Sequence, residues 1–85
     1  MPEISRFFGV IIYMYFDDHA PPHFHAEYGG EEVLVRIDDL SVIRGRIHPR
    51  ALGFVMEWAT LHKEDLKHAW SEAEAHQEPG KITPL

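Results

Sequence analysis

The sequence predicts an α+β protein in which a four-stranded antiparallel meander is followed by one long C-terminal helix packed on one face of the sheet. Two observations support this fold class. Up to residue 48, segments rich in β-branched and aromatic residues alternate with turn-forming residues, as expected for short strands. From Pro49 onward the apolar residues recur at helical spacing. With 85 residues, we expect a single domain spanning residues 1–85.

Each of the four predicted strands is bounded by polar or glycine-rich turns. The segments are 8–16, 23–28, 33–37 and 42–47. Between the second and third lies Gly29-Gly30, a strong hairpin signal, because both central positions of a type I′ turn have a positive φ that glycine adopts without strain. Residues 38–41 are turn formers and separate the third strand from the fourth.

The helix is predicted to begin at Pro49, which suits a first helical position, and to continue to about residue 75. An apolar series with helical spacing defines its buried side: Leu52, Val55, Ala59, Leu66, Ala69 and Ala73. Further apolar residues give the first half a second apolar face: Phe54, Trp58 and Leu61. A kink near Leu61 and His62 or a dimer contact would each explain this second face. Residues 79–85 are expected to be irregular.

Strand register follows from keeping the apolar residues on one side of the sheet. A two-residue loop at 29–30 pairs Phe24 with Val35 and His23 with Arg36. For the neighbouring hairpins, the predicted pairs are Ile37 with Ile43, Arg36 with Arg44, Phe16 with Phe24 and Tyr15 with His25. The residues then predicted to face the core are Val10, Ile12, Met14, Phe16, Val33, Val35, Ile37, Ile43 and Ile47.

The same register predicts a polar face on the side of the sheet away from the helix. Its members are Tyr15, Asp17, His23, His25, Arg36, Arg44 and Arg46. Two arginines directly opposite each other destabilise a sheet by up to about 1 kcal/mol unless an anion or carboxylate lies between them. This His/Arg face therefore predicts either a phosphate-bearing ligand, an acidic partner, or pairing of the cations with Asp17, Glu27 and Glu32.

The histidine-proline run at residues 17–25 is the most distinctive part of the sequence. Histidine titrates near neutrality, so it can move protons in phosphodiester cleavage, while arginines stabilise the developing charge. A metal-independent, ribonuclease-like activity is one interpretation of the face. Its catalytic residues would be His23, His25, Asp17 and Tyr15, and its anion-binding residues Arg36, Arg44 and Arg46.

A divalent metal site is a second interpretation of the run. His23 and His25 project to the same side of a strand and can offer two imidazoles to one ion. With His19 and Asp18 they form a ligand set for zinc, nickel or manganese. Because His-x-His alone is a weak motif, we favour the absence of a cofactor. In a third interpretation the prolines build a stiff turn, around which His19 and His23 bond to the backbone.

Charge and composition narrow the classes of function. The net charge of −6 argues against broad electrostatic binding to nucleic acid, so any anion site must be local. The chain has no cysteine, which excludes disulfides and thiolate chemistry. The apolar run at 7–16 is about half the length needed to span a bilayer. We therefore expect a cytoplasmic protein without a membrane partner.

Several segments of the sequence together resemble a known family. They are Met1-Pro2-x-Ile4-Ser5-Arg6-Phe7-Phe8-Gly9, Asp18-His19-x-Pro21-Pro22-His23-Phe24-His25, Pro49-Arg50-Ala51-Leu52, Glu57-Trp58-Ala59, Trp70 and Lys81-Ile82-x-Pro84-Leu85. Over nearly its full length the chain resembles an uncharacterised family of short bacterial proteins, domain of unknown function 4160. The resemblance implies a stand-alone domain, often encoded beside another small protein in toxin–antitoxin-like pairs. It implies a small cognate protein partner and does not identify a catalyst.

The preferred function is a toxin–antitoxin-like or regulatory module whose His/Arg face binds or cleaves RNA phosphates. The alternative is a non-catalytic protein-binding module, in which the same face receives an acidic or phosphorylated partner. In either case, the apolar first half of the helix is expected to mediate homo-oligomerisation. A small protein that binds a divalent metal through its histidines is the third candidate.

Overall fold

The computed structural model describes residues 2–16 and 19–85 as one antiparallel sheet and two helices. The strands are β1 (Glu3–Phe7), β2 (Val10–Tyr13), β3 (His23–Tyr28), β4 (Glu31–Arg36) and β5 (Val42–Gly45), and the helices are α1 (Pro49–Leu61) and α2 (Lys63–Glu74). Neighbouring strands in the sheet are neighbours in sequence. The α+β class and the meander are thus confirmed, but the predicted counts of four strands and one long helix are wrong.

The additional strand arises because a turn interrupts the first predicted strand. Phe8 and Gly9 form this turn with φ of 48° and 81°, and Phe7 pairs with Val10 across it. Asparagine or glycine is the usual residue at the first position of such a turn, so a phenylalanine there gives the sequence no turn signal. Residues before the turn therefore form β1, which pairs with β2.

The helical region is divided at His62, near the predicted kink. His62 has φ −121° and ψ 27° and ends α1, and its carbonyl accepts the first hydrogen bond of α2, from the Leu66 N–H at 2.9 Å. Glu64 and Asp65 follow in the first turn of α2, where negative charge is stabilised by the helix dipole. The break allows α2 to leave the line of α1. None of the helices in the described ranges is long and apolar enough to cross a membrane.

The register of the central hairpin is confirmed, whereas the two flanking registers are wrong. His23 pairs with Arg36 and Phe24 with Val35, as predicted. The observed partners on either side are Tyr13 for His25 and Leu34 for Arg44, each two residues from the predicted partner. A shift of two keeps these side chains on their predicted faces and removes the predicted opposition of Arg36 and Arg44. Past an irregularity between Leu34 and Val35 the shift becomes three, so that Val42 rather than Ile43 lies on the core side, opposite Val35.

The core contains buried residues of the sheet and of both helices. Trp58 is completely buried, and its ring centroid lies 5.4 Å from that of Phe7 and 5.8 Å from that of Phe24. Most residues predicted to face the core are buried, namely Val10, Ile12, Met14, Val33, Val35, Ile37 and Ile47. Phe16 and Ile43 are exceptions, since each is 42% exposed. Phe16 lies beyond the end of β2, and Ile43 lies on the edge strand β5.

The C-terminal tail has no regular secondary structure, as predicted, yet it is held to the core. The Trp58 indole donates a hydrogen bond to the Thr83 carbonyl at 2.9 Å. The Ile82 N–H donates to the Ile4 carbonyl on β1 at 2.7 Å. The tail therefore lies along the outer edge of β1.

Candidate ligand-binding site

Two histidines of β3 form a buried aromatic layer on the sheet face opposite Phe24. Only 5% of His23 and 8% of His25 are exposed, and their ring centroids lie 5.2 Å apart. Tyr15 covers His25 edge-on at 4.4 Å, and Trp70 of α2 covers His23 at 5.3 Å. The structure thus brings together Tyr15, His23 and His25, but inside a covered layer rather than on the open face that the sequence predicts.

Both imidazoles are oriented through their Nδ1 atoms. Nδ1 of His23 lies 2.8 Å from the Pro21 carbonyl oxygen, and because a carbonyl only accepts, this nitrogen donates the proton. Nδ1 of His25 lies 3.5 Å from the Glu32 carboxylate. Nε2 of His23 has less than 1 Å² of accessible surface. A bound substrate therefore cannot reach either nitrogen of His23 in this conformation.

A cleft opens beside this layer, between the end of β4, the proline loop and α2. We call it the Arg36 cleft. It has a volume of about 390 Å³ and is lined by Pro21, Pro22, Arg36, Ile37, Asp38, Lys67, Trp70 and Ser71. Its walls combine two cations and one carboxylate, Asp38, with an indole ring and apolar proline and isoleucine side chains. Such a combination suits a ligand with both an anionic group and a flat apolar part.

Arg36 presents a weakly paired cation to this cleft. Its side chain is 42% exposed, and its Nη1 lies 3.8 Å from the Asp39 carboxylate, at the long limit of an ion pair. Its Nε is covered, like Nε2 of His23, and has no hydrogen-bond partner among residues 2–16 and 19–85. The exposed part of the side chain, rather than Nε, is therefore what an anion in the cleft can reach.

Asp39 limits the positive charge available from Arg36. The Ser41 hydroxyl donates to its carboxylate at 2.7 Å and the Ser41 N–H at 3.0 Å. These bonds, and to a lesser degree the Arg36 charge, hold the pKa of Asp39 below its usual value. Asp39 is therefore charged at neutral pH and competes with any bound anion.

The Asp39→Asn variant is expected to bind inorganic phosphate about two- to threefold more tightly than the native protein, because it loses a solvent-exposed competing charge. The asparagine carbonyl still accepts the Ser41 bonds, so the loop is expected to keep its conformation. Titration calorimetry with phosphate measures the change. An unchanged or weaker affinity would contradict the competition.

A second, smaller cleft lies on the other side of the proline loop. It has a volume of about 250 Å³ and is lined by His19, Ala20, Pro21, His23, Leu34, Ile43 and Arg44. His19 and Arg44 are both exposed. Arg46 is exposed beyond the end of β5. The three arginines predicted to share one anion site are thus divided between two clefts and the sheet edge.

Comparison with known families gives one match. The family model of domain of unknown function 4160 (DUF4160) matches residues 9–71 of the 85. The chain belongs to this family. The matched region contains every residue that lines the two clefts of this DUF4160 protein. No curated protein and no solved structure matched the chain.

The predicted metal set is only partly placed in the DUF4160 structure. Asp18 and the predicted catalytic residue Asp17 lie outside the described residues. Within residues 2–16 and 19–85, no group of three or more histidine or acidic side chains is arranged to hold a metal ion. The described histidines therefore do not by themselves form the predicted site.

Sequence reasoning missed the helical side of the DUF4160 cleft. Lys67 and Trp70 are three residues apart and so lie on one face of α2. Trp70 belongs to the segments shared with the family, but its helical spacing is equally typical of a core residue. Only the change of direction at His62 brings this face over the proline loop.

Proposed function

We propose that this DUF4160 protein is a cytoplasmic regulatory module of a bacterial toxin–antitoxin-like pair, and that it binds single-stranded RNA in the Arg36 cleft. One observation carries the proposal: the Arg36 side chain, which is 42% exposed and only weakly paired with Asp39 at 3.8 Å, lines one cleft together with Lys67 and Trp70.

The cleft offers cations for the phosphates of single-stranded RNA beside an apolar wall. Arginine and lysine bind phosphate oxygens, and Trp70, which is only 5% exposed and packs on His23, belongs to that wall. A volume of about 390 Å³ lies within the ordinary range for small-ligand sites, about 300–1,000 Å³, and accommodates one nucleotide unit. Because the net charge is −6, contacts to RNA would be restricted to this cleft and its rim.

The burial of the histidines supports binding rather than cleavage. His23 bonds to the Pro21 carbonyl and its other ring nitrogen is covered, whereas a general acid or base must reach the reacting group. In this proposal Trp70 forms part of the wall of the cleft, and His23 supports Trp70 from behind. Ribonuclease-like chemistry by His23, His25, Asp17 and Tyr15 is the competing interpretation, and it predicts RNA hydrolysis that a His23→Ala/His25→Ala variant loses.

Arg36→Gln is expected to weaken RNA binding by about 10- to 100-fold, because a hydrogen bond to a charged group is worth roughly 1.5–3 kcal/mol. Fluorescence anisotropy with a labelled single-stranded RNA of about eight nucleotides measures the affinity. Lys67→Gln should also weaken binding. With two cations engaged, the logarithm of the affinity should fall with the logarithm of salt concentration at a slope near −1.4, since each phosphate contributes about −0.7 in single strands.

Arg46→Gln is the matched control, because it removes the same charge from an arginine outside the cleft. It should change the affinity by less than about twofold. The proposal is wrong if the native protein does not bind the RNA, or if Arg46→Gln weakens binding as much as Arg36→Gln does.

A non-catalytic protein-binding module is the second candidate, and the apolar walls of the cleft at Pro21, Pro22 and Ile37 favour it. In that case the cognate small protein should co-purify with the native chain, and Arg36→Gln should release it without any effect on RNA. Growth arrest on expression that depends on Arg36 would instead support the RNA-binding function.

A further inference from the structure

A second surface, on the outer side of α1, is independent of the cleft. Residues at spacings of three and four form a stripe along this helix: Arg50, Gly53, Phe54, Glu57 and Leu61. All of them are exposed except Phe54, which is half-buried and packs against the core. Leu61 is 68% exposed. The Arg50 guanidinium carbon lies 5.9 Å from the centre of the Phe54 ring. The centres of the Phe8 and Phe54 rings lie 5.0 Å apart. The stripe and Phe8 thus form one aromatic and aliphatic patch bordered by charges.

Two residues of this patch are unfavourable in an isolated chain. Phe8 has a φ of 48°, a left-handed conformation that costs a non-glycine residue about 1–2 kcal/mol, and its ring is 61% exposed. Gly53 lies within a helix, where glycine costs about 1 kcal/mol relative to alanine. A Cβ added at Gly53 would meet no atom within 4 Å. Packing inside the chain therefore does not require glycine here, but close approach of another molecule does.

The charges on the stripe complement those of a second copy. Arg50 and Glu57 are separated by about 10 Å along the helix axis, too far to pair within one chain. When two copies of α1 cross antiparallel about a two-fold axis between residues 53 and 54, Arg50 faces Glu57 of the partner subunit. The same axis places Phe54 over Gly53 of the partner subunit. An isologous contact of this kind is self-complementary.

We propose that the protein forms a homodimer through this stripe, with Phe54 of each copy seated in the notch left by Gly53 of the other and with two symmetric Arg50–Glu57 pairs. Phe8 extends the contact beyond the helix. A stable interface of standard size takes at least about 600 Å² from each partner, which is roughly one eighth of the 4966 Å² surface of one chain.

Sedimentation equilibrium of the untagged full-length chain tests the proposal, and a mass of twice 9.9 kDa is expected for the native protein. Arg50→Glu and Glu57→Arg should each weaken dimerisation by at least about tenfold. The double variant Arg50→Glu/Glu57→Arg should restore it to within about threefold of the native value, because both cross-pairs are re-formed with exchanged charges.

Gly53→Leu separates association from folding. Leucine at this exposed helical position should raise the thermal stability of the monomer while filling the notch and abolishing the dimer. Glu74→Lys, a charge reversal on α2, is the control and should leave the dimer unchanged. The proposal is overturned by a protein that stays monomeric, by a dimer that survives Arg50→Glu or Gly53→Leu, or by a double variant that does not recover. A monomer that instead binds its cognate protein through Phe54 overturns it as well.

Discussion

Trp58→Ala is expected to lower the free energy of unfolding by about 3–5 kcal/mol, the usual cost of truncating a buried tryptophan. Trp58 is completely buried, packs on Phe7 and Phe24, and fixes the tail through the Thr83 carbonyl. A domain of this size has a total stability of about 4–13 kcal/mol. At the lower end of that range the substitution would leave much of the population unfolded near physiological temperature.

Urea denaturation followed by circular dichroism measures this loss. Trp58→Phe is the matched control: it keeps the ring contacts but removes the indole N–H, and it should cost less than the alanine variant. A loss below about 1 kcal/mol for Trp58→Ala, within the range of ordinary surface substitutions, would show that sheet and α1 do not pack through this residue.

Gly45→Ala is expected to destabilise the protein by about 3 kcal/mol or more, through two additive causes. Gly45 has a φ of 78°, which costs alanine about 1–2 kcal/mol. A Cβ at this position would also overlap the backbone carbonyl oxygen of Glu32 on the neighbouring strand. Backbone cannot move aside as a flexible side chain can, so β4 and β5 would have to separate locally.

Gly29→Ala isolates the first of these causes. Gly29 has a φ of 59°, but a Cβ there meets no atom within 4 Å. Gly29→Ala should therefore lower the free energy of unfolding by only about 1–2 kcal/mol. Thermal unfolding of the two variants side by side gives the comparison. Equal losses would contradict the close approach of Gly45 to β4.

The sequence predicts the central hairpin correctly because one turn determines it. Gly29 and Gly30 leave little choice of loop length, and the alternation of apolar residues then fixes which side chains pair. The loops on either side are longer and do not restrict register in this way. Apolar alternation distinguishes shifts of one residue but not of two, which explains the errors at His25 and at Arg44. The further shift at Val35 comes from the irregularity in β4, for which the sequence carries no signal.

Turns without their usual residues account for the errors in element count. Phe8 begins a two-residue turn with a side chain typical of strands, and His62 separates two helices without a proline or glycine. Phe8 carries no turn signal, and at His62 the second apolar face indicates at most a kink and not a helix end. Tertiary packing decides both, since β1 is held by the tail and α2 turns to cover His23.

The sequence predicts which residues of the candidate site lie close together, but not which of them are exposed to solvent. Strand alternation places His23 and His25 on the side opposite Phe24, and that part is observed. Whether such a face is open or covered depends on where the next helix lies, and helical periodicity describes only the faces of a helix, not its position. Trp70 therefore covers His23, which was expected to be exposed. The charged side chains that line an open cleft are instead Arg36 and Lys67.

The position of β5 at the edge of the sheet has a consequence for solubility. Its Val42 and Ile43 are 43% and 42% exposed, and unpaired strand edges with exposed apolar side chains invite another chain to add as a further strand. Arg44 and Arg46 place positive charge along this edge, and the irregularity between Leu34 and Val35, opposite Ile43, interrupts its regular pairing. The charges of these two arginines disfavour the addition of another strand at this edge. The opposite edge, at β1, has the C-terminal tail as its cover.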